Sequence, residues 1–135
     1  MAEAKTKPTG ESVTDFIKRL DGDERRKDCA ALVRLMKQVS GAPAKMYGSS
    51  IIGFGSQLIQ YASGKSSAWP IIAFSPRKQD LTLYVGASKA PKALLGKLGE
   101  HKVSGGCLHI KRLSDVDLRV LTMLVSASVK KRREA

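Results

Sequence analysis

The stretch Ile71-Ile72-Ala73-Phe74-Ser75-Pro76-Arg77-Lys78-Gln79-Asp80-Leu81-Thr82-Leu83-Tyr84 decides the fold class. Residues 71–75 form a nearly continuous apolar run of the length expected for a central strand. Residues 76–80 are rich in turn formers. After them Leu81, Leu83 and Val85 alternate with Thr82 and Tyr84, the period of a half-buried strand. The middle of the chain is therefore sheet.

Upstream, Ile51–Phe54 and residues 57–61 are short β-prone runs separated by Gly55-Ser56. Glycine in the first loop position fits a type II′ hairpin turn. Residues 62–67 read as a flexible connection, and Trp69-Pro70 leads into the central strand. Before Pro43 the pattern is helical. Ser12, with Asp15 three residues on, caps a short helix carrying Val13, Phe16, Ile17 and Leu20, and Gly22 breaks it. Asp23 and Glu24 open a longer helix with the stripe Cys29, Leu32, Val33, Met36 and Val39, which Gly41 and Pro43 stop. Downstream, Pro91 opens a helix carrying Ala93, Leu94, Leu95 and Leu98 and closed by Gly99. Cys107–Ile110 is a last strand. Ser114, with Asp117, caps a C-terminal helix whose stripe is Val116, Val120, Leu121, Leu124 and Val125. The expected class is α+β, a twisted antiparallel sheet of about five short strands packed against helices. Residues 12–132 make one domain, preceded by a flexible arm at 1–11 and followed by a basic tail end at 133–135.

The 135 residues suit one domain, and 42% hydrophobic residues supply a core that is aliphatic, because aromatics are only 5%. Lys and Arg number 24 against 12 Asp and Glu, a net charge of +12. Residues 71–112 hold eight of the cations against Asp80 and Glu100, which accounts for half of the excess. A field of this sign draws polyanions without specifying one, and equally keeps a surface solvated. Two cysteines, no secretory leader and no long apolar run predict a cytoplasmic protein without membrane contact, monomeric or homodimeric.

The chemistry-bearing motifs are sparse. Cys107 and His109 share a strand face, and a metal there would need a third ligand such as His101. Gly53-Phe54-Gly55 lacks the third glycine of a dinucleotide loop and the lysine of a P-loop. Ser104-Gly105-Gly106, between Lys102 and Lys111, has the composition of an anion nest or of a plain turn. No paired acids and no nucleophile elbow point to an enzyme. The densest grouping is Tyr61, Trp69, Ser75, Arg77, Lys78, Tyr84 and Lys111, where aromatic rings and cations would line a pocket for a small ligand or anion.

The set Ser50-Ile51-Ile52-Gly53-Phe54-Gly55, Tyr61-Ala62-Ser63-Gly64, Trp69-Pro70, Phe74-Ser75-Pro76-Arg77-Lys78, Leu81-Thr82-Leu83-Tyr84, Leu98-Gly99 and Cys107-Leu108-His109-Ile110-Lys111 resembles the YdhG-like family of bacterial domains of unknown function. The resemblance spans about Lys5 to Arg132. It implies a frataxin-like fold and, as the one role attached to the family, an intracellular iron chaperone. Many relatives carry Gly-Lys-Ser where this chain has Ser104-Gly105-Gly106, which removes a cation from any inherited anion site.

Three functions follow as expectations. The first is a non-enzymatic binding module for a small ligand or anion at the grouping above. The second is iron carriage on Asp21, Asp23, Glu24 and Asp28, although hard cations favour carboxylates and these are interleaved with Arg25, Arg26 and Lys27. The third is weak nucleic-acid binding through Arg77, Lys78 and the tail Lys130, Lys131, Arg132 and Arg133.

Overall fold

A computed structural model describes residues 10–47, 50–55, 57–60, 63–64, 66–86 and 90–134, with the backbone only at 57–60, 66–69 and 132–134. Helices α1 (Val13–Lys18) and α2 (Asp23–Ser40) lead into strands β1 (Ala44–Tyr47), β2 (Ile51–Phe54), β3 (Gln57–Gln60), β4 (Ser66–Trp69), β5 (Ile72–Pro76) and β6 (Leu81–Tyr84). Helix α3 (Lys92–Leu98), strands β7 (Lys102–Ser104) and β8 (Cys107–Ile110), a 3-10 turn at Leu113–Asp115 and helix α4 (Leu118–Glu134) complete the chain. The class is α+β in one domain. Six strands form an open antiparallel sheet in the order β1-β2-β5-β6-β8-β7, and β3 pairs with β4 alone.

The core lies between one sheet face and the helices. Ile52, Phe74, Leu83 and Leu108 stand in one cross-strand row, Phe54 and Ile72 in a second, and Leu81 and Ile110 in a third. All are at most 1% exposed. Cys29, Leu32 and Met36 of α2 and Leu121, Leu124 and Val125 of α4 close over them. In α2 the expected stripe is shared: Val33 and Val39 are only half-buried, and Ser40 completes the buried face. Full burial of a Leu or Phe side chain is worth about 1.5–3 kcal/mol, so these rows carry the fold.

Several local signals act as read. The Ser12 hydroxyl accepts from the Asp15 amide at 3.2 Å, and the Gly41 amide closes α2 onto the Lys37 carbonyl at 2.8 Å. One cap is displaced. Ser114 lies in the 3-10 turn, and Asp117 itself caps α4, its Oδ1 accepting from the amides of Arg119 at 2.9 Å and Val120 at 3.4 Å. Val116 therefore precedes the helix and bridges to Gly99.

The larger correction concerns Gly55-Ser56. No hairpin turns there: β2 pairs with β5, and β3 with β4. Phe54 faces Ile72 and Gln57 faces Trp69, with two residues between on each strand, so β3–β4 extends the β2–β5 ladder without net slip. Gly55 adopts φ +70, which removes it from extended geometry, and Pro70 on the facing strand has no amide to donate. The result is one long ribbon with a bend, in which the Ile71 amide still reaches the Phe54 carbonyl at 3.0 Å. Residues 66–67, read as flexible, are strand. Strands β1 and β7 also exceed the expected number.

Candidate functional site

The sheet face opposite the helices carries Tyr47, Gly53, Ala73, Ser75, Thr82, Tyr84, Cys107 and His109 at alternate positions. Near β2 this face is closed. A Cβ at Gly53 would sit 2.6 Å from Tyr47 Cε1 and 2.7 Å from Pro70 Cβ, so ring and proline fill the space above the glycine. Burial raises the Tyr47 phenol above its ordinary range, and its hydroxyl donates to the Gly55 carbonyl at 3.3 Å. Toward β6 and β8 the face opens onto polar side chains.

Register builds that open end. Thr82 lies opposite His109, and Tyr84 opposite Cys107. The Thr82 hydroxyl donates to Asp80 Oδ1 at 2.9 Å and lies 3.3 Å from His109 Nδ1, which is 3.4 Å from Asp80 Oδ2. With the hydroxyl proton directed to Asp80, both oxygens near Nδ1 are acceptors, an arrangement that suits a proton on Nδ1. One strand repeat away, Arg77 Nη2 donates to the Tyr84 hydroxyl at 2.7 Å. That bond is the main reason the guanidinium is held above even its usual high range.

The turn joining these groups is fixed from the helical side. The Arg77 amide donates to the Asp80 carbonyl at 2.8 Å. Arg25 of α2 reaches across to donate to the carbonyls of both Arg77 and Asp80. Arg77 and Asp80 thus start from an anchored backbone, although Arg77 itself is exposed.

Of the residues expected to line a pocket, the structure joins Arg77 and Tyr84. Lys78 sits in the same turn, exposed. Ser75 is 1% exposed and donates to the Ser50 carbonyl at 2.8 Å, so it serves the sheet and is closed to a ligand. Lys111 lies elsewhere, with Glu24, Arg25, Asp28, Leu81 and Arg112 around a recess of about 50 Å3. Tyr61 and the side chain of Trp69 lie outside the described residues. Asp80, Thr82 and His109 were missing from the expected grouping, since their meeting depends on the β6–β8 register.

The four acids proposed for iron are not gathered into one cluster among the described residues. Asp23 pairs with Arg26, Glu24 is 3.9 Å from Arg112, and Asp28 accepts from the Leu113 amide at 3.1 Å. Among the described residues, no three His, Cys, Asp or Glu side chains are grouped to hold a metal ion, and no helix is long and apolar enough to cross a membrane. His101 Nδ1 lies 2.8 Å from the Gly99 carbonyl, outside any such grouping with Cys107 and His109. No family model, curated protein or solved structure matches the chain.

Proposed function

We propose that the protein is a non-enzymatic binding domain that holds a small anion, of the phosphate or carboxylate class, on the open sheet end formed by Arg77, Tyr84 and His109. The observation that carries this reading is the Arg77–Tyr84 bond. A guanidinium has five donors, and Tyr84 uses one while fixing the plane of the rest. A forked cation so oriented matches an oxyanion in two parallel bonds. The local excess of positive charge over residues 71–112 supports the same sign of ligand. The YdhG-like resemblance is compatible with such a module. The iron-chaperone role it implies has no matching acid cluster among the described residues.

The test is a titration with inorganic phosphate and pyrophosphate, followed by amide shifts in two-dimensional NMR. The shifts are expected at Arg77, Tyr84, Cys107 and His109. Arg77→Ala is expected to weaken binding by about tenfold or more, as for loss of a charge-assisted hydrogen bond. Tyr84→Phe keeps the ring but frees the guanidinium, and is expected to weaken binding less. Shifts that map elsewhere, or an affinity indifferent to Arg77→Ala, would exclude this site.

A further inference from the structure

On the opposite side of the molecule, away from the sheet face, α2 and α4 leave an open apolar groove of about 450 Å3 between them. Ala31, Leu35, Gln38 and Val39 of α2 and Leu118 and Thr122 of α4 line it, together with Leu113. Leu118 is 46% exposed and Met123, on the outward side of α4, is 50% exposed. These are two of the most exposed large hydrophobic residues described. We propose that this groove docks an acidic amphipathic helix of a partner protein.

Three observations fix that occupant. The first is shape. Ala31 to Val39 spans about 12 Å of helix axis, so the groove accepts about two turns of a third helix, whose i, i+3, i+4 and i+7 side chains would enter it. The second is the sign of the rim. Lys27 and Arg34 lie along the α2 flank at helical spacing from Ala31 and Gln38, and Arg119 and Lys130 lie along the outward flank of α4; all four are exposed. Neither helix carries an acidic residue over 29–40 or 118–133, and the nearest acids, Asp28 and Asp117, stand at one end. Asp28 accepts from the Leu113 amide and Asp117 caps α4, so neither neutralises the rim along its length. The third is the whole-chain charge. A second copy would bring the same cationic rim and another +12 against this one, which disfavours self-association through the groove.

The probe is a synthetic amphipathic helix of about 14 residues, long enough for the groove, with leucines at i, i+3, i+4 and i+7 and glutamates elsewhere. Its twin carries lysines in place of the glutamates, and a third peptide keeps the glutamates without the leucines. Fluorescence anisotropy with the full chain reads binding. The Glu–Leu helix is expected to bind at least about tenfold tighter than either control. Leu118→Glu places a repelling charge in the groove at a helix position that favours acids, so the fold is kept, and it should cost about tenfold or more. Arg34→Glu with Arg119→Glu should reverse the preference toward the lysine twin, while Arg77→Ala should leave all three affinities unchanged. Equal binding of the leucine-free peptide would reduce the effect to general polyanion attraction and overturn the proposal. Equal binding of the two amphipathic helices, no binding of either, or a dimer in sedimentation that Leu118→Glu dissolves would overturn it as well.

Discussion

Gly96 and Gly99 stand three residues apart, and alanine at each is expected to move stability in opposite directions. Gly99 ends α3 at φ +114 and ψ −157, a region that only glycine enters without strain. A Cβ there would lie 2.4 Å from the Asp115 carbonyl oxygen and 3.1 Å from the Val116 Cα, both backbone atoms that no rotamer change can clear. Asp115 cannot retreat freely either, because its carbonyl accepts from the Glu100 amide at 3.2 Å and the Asp117 amide is held by the Leu98 carbonyl at 2.7 Å. The backbone strain is worth roughly 1–3 kcal/mol and the overpacking roughly another 1–3. Restriction of the unfolded chain returns about 0.4–1 kcal/mol to the alanine variant. Gly99→Ala should therefore cost about 1–5 kcal/mol, which for a chain of this size lowers Tm by about 4 °C or more. Gly96 sits inside α3, exposed, with nothing within 4 Å of an added Cβ. Gly96→Ala should stabilise by about 0.5–1 kcal/mol through helix propensity. Urea unfolding followed by far-UV circular dichroism measures both. A Gly99→Ala variant within about 0.5 kcal/mol of the parent would refute the account of this junction.

Burial pushes the Cys29 thiol up to about 12, against the opposing pull of Arg25, while Cys107 is half-exposed. A thiol reagent at pH 8 should label one cysteine in the native protein and two in denaturant; two labelled at once under native conditions would contradict the packing. Because the folded-state value lies above the unfolded one, the unfolded chain loses its proton first. Through this thiol, stability should therefore fall as pH rises from about 9 to 12, by up to about 1.4 kcal/mol per unit; Cys29→Ala should lose that share, while the raised Tyr47 phenol keeps its own. Asp117→Ala should cost about 1 kcal/mol as the loss of an N-cap, and Ser114→Ala close to nothing, read by thermal unfolding. The reverse ranking would restore Ser114 as the cap.

The helices and the central strands were readable because each signal was local. Cys29, Leu32 and Met36 repeat on one helical face, and Leu81 and Leu83 alternate along one strand. Strands β1 and β7 lacked that signal: Ala-Lys-Met-Tyr has a single apolar pair at its end, and Lys-Val-Ser is exposed throughout. Gly55-Ser56 misled because a glycine at φ +70 is compatible with a reversing turn and with a bend in a continuing ribbon. Only the partner strand separates the two. The same limit governed the site. Arg77 and Tyr84 stood out as residue types and do meet, whereas Thr82 and His109 meet only through a register that links positions 27 apart. Ser75 and Lys111 had suitable chemistry on positions that turn out to serve the sheet and the α2 side.

The shared register of the bent ribbon bears on how this chain tolerates length change. A single residue inserted between Phe54 and Gln57 would put the β3–β4 pairs out of step with the β2–β5 ladder. One residue added after Gln60 and one before Ser66 would lengthen the ribbon and leave the existing pairs in place. Natural variation of this protein should therefore cluster between Gln60 and Ser66 and come in matched steps, with the bend itself fixed in length. The ribbon is a place where new sequence can be added without disturbing the sheet that supports it.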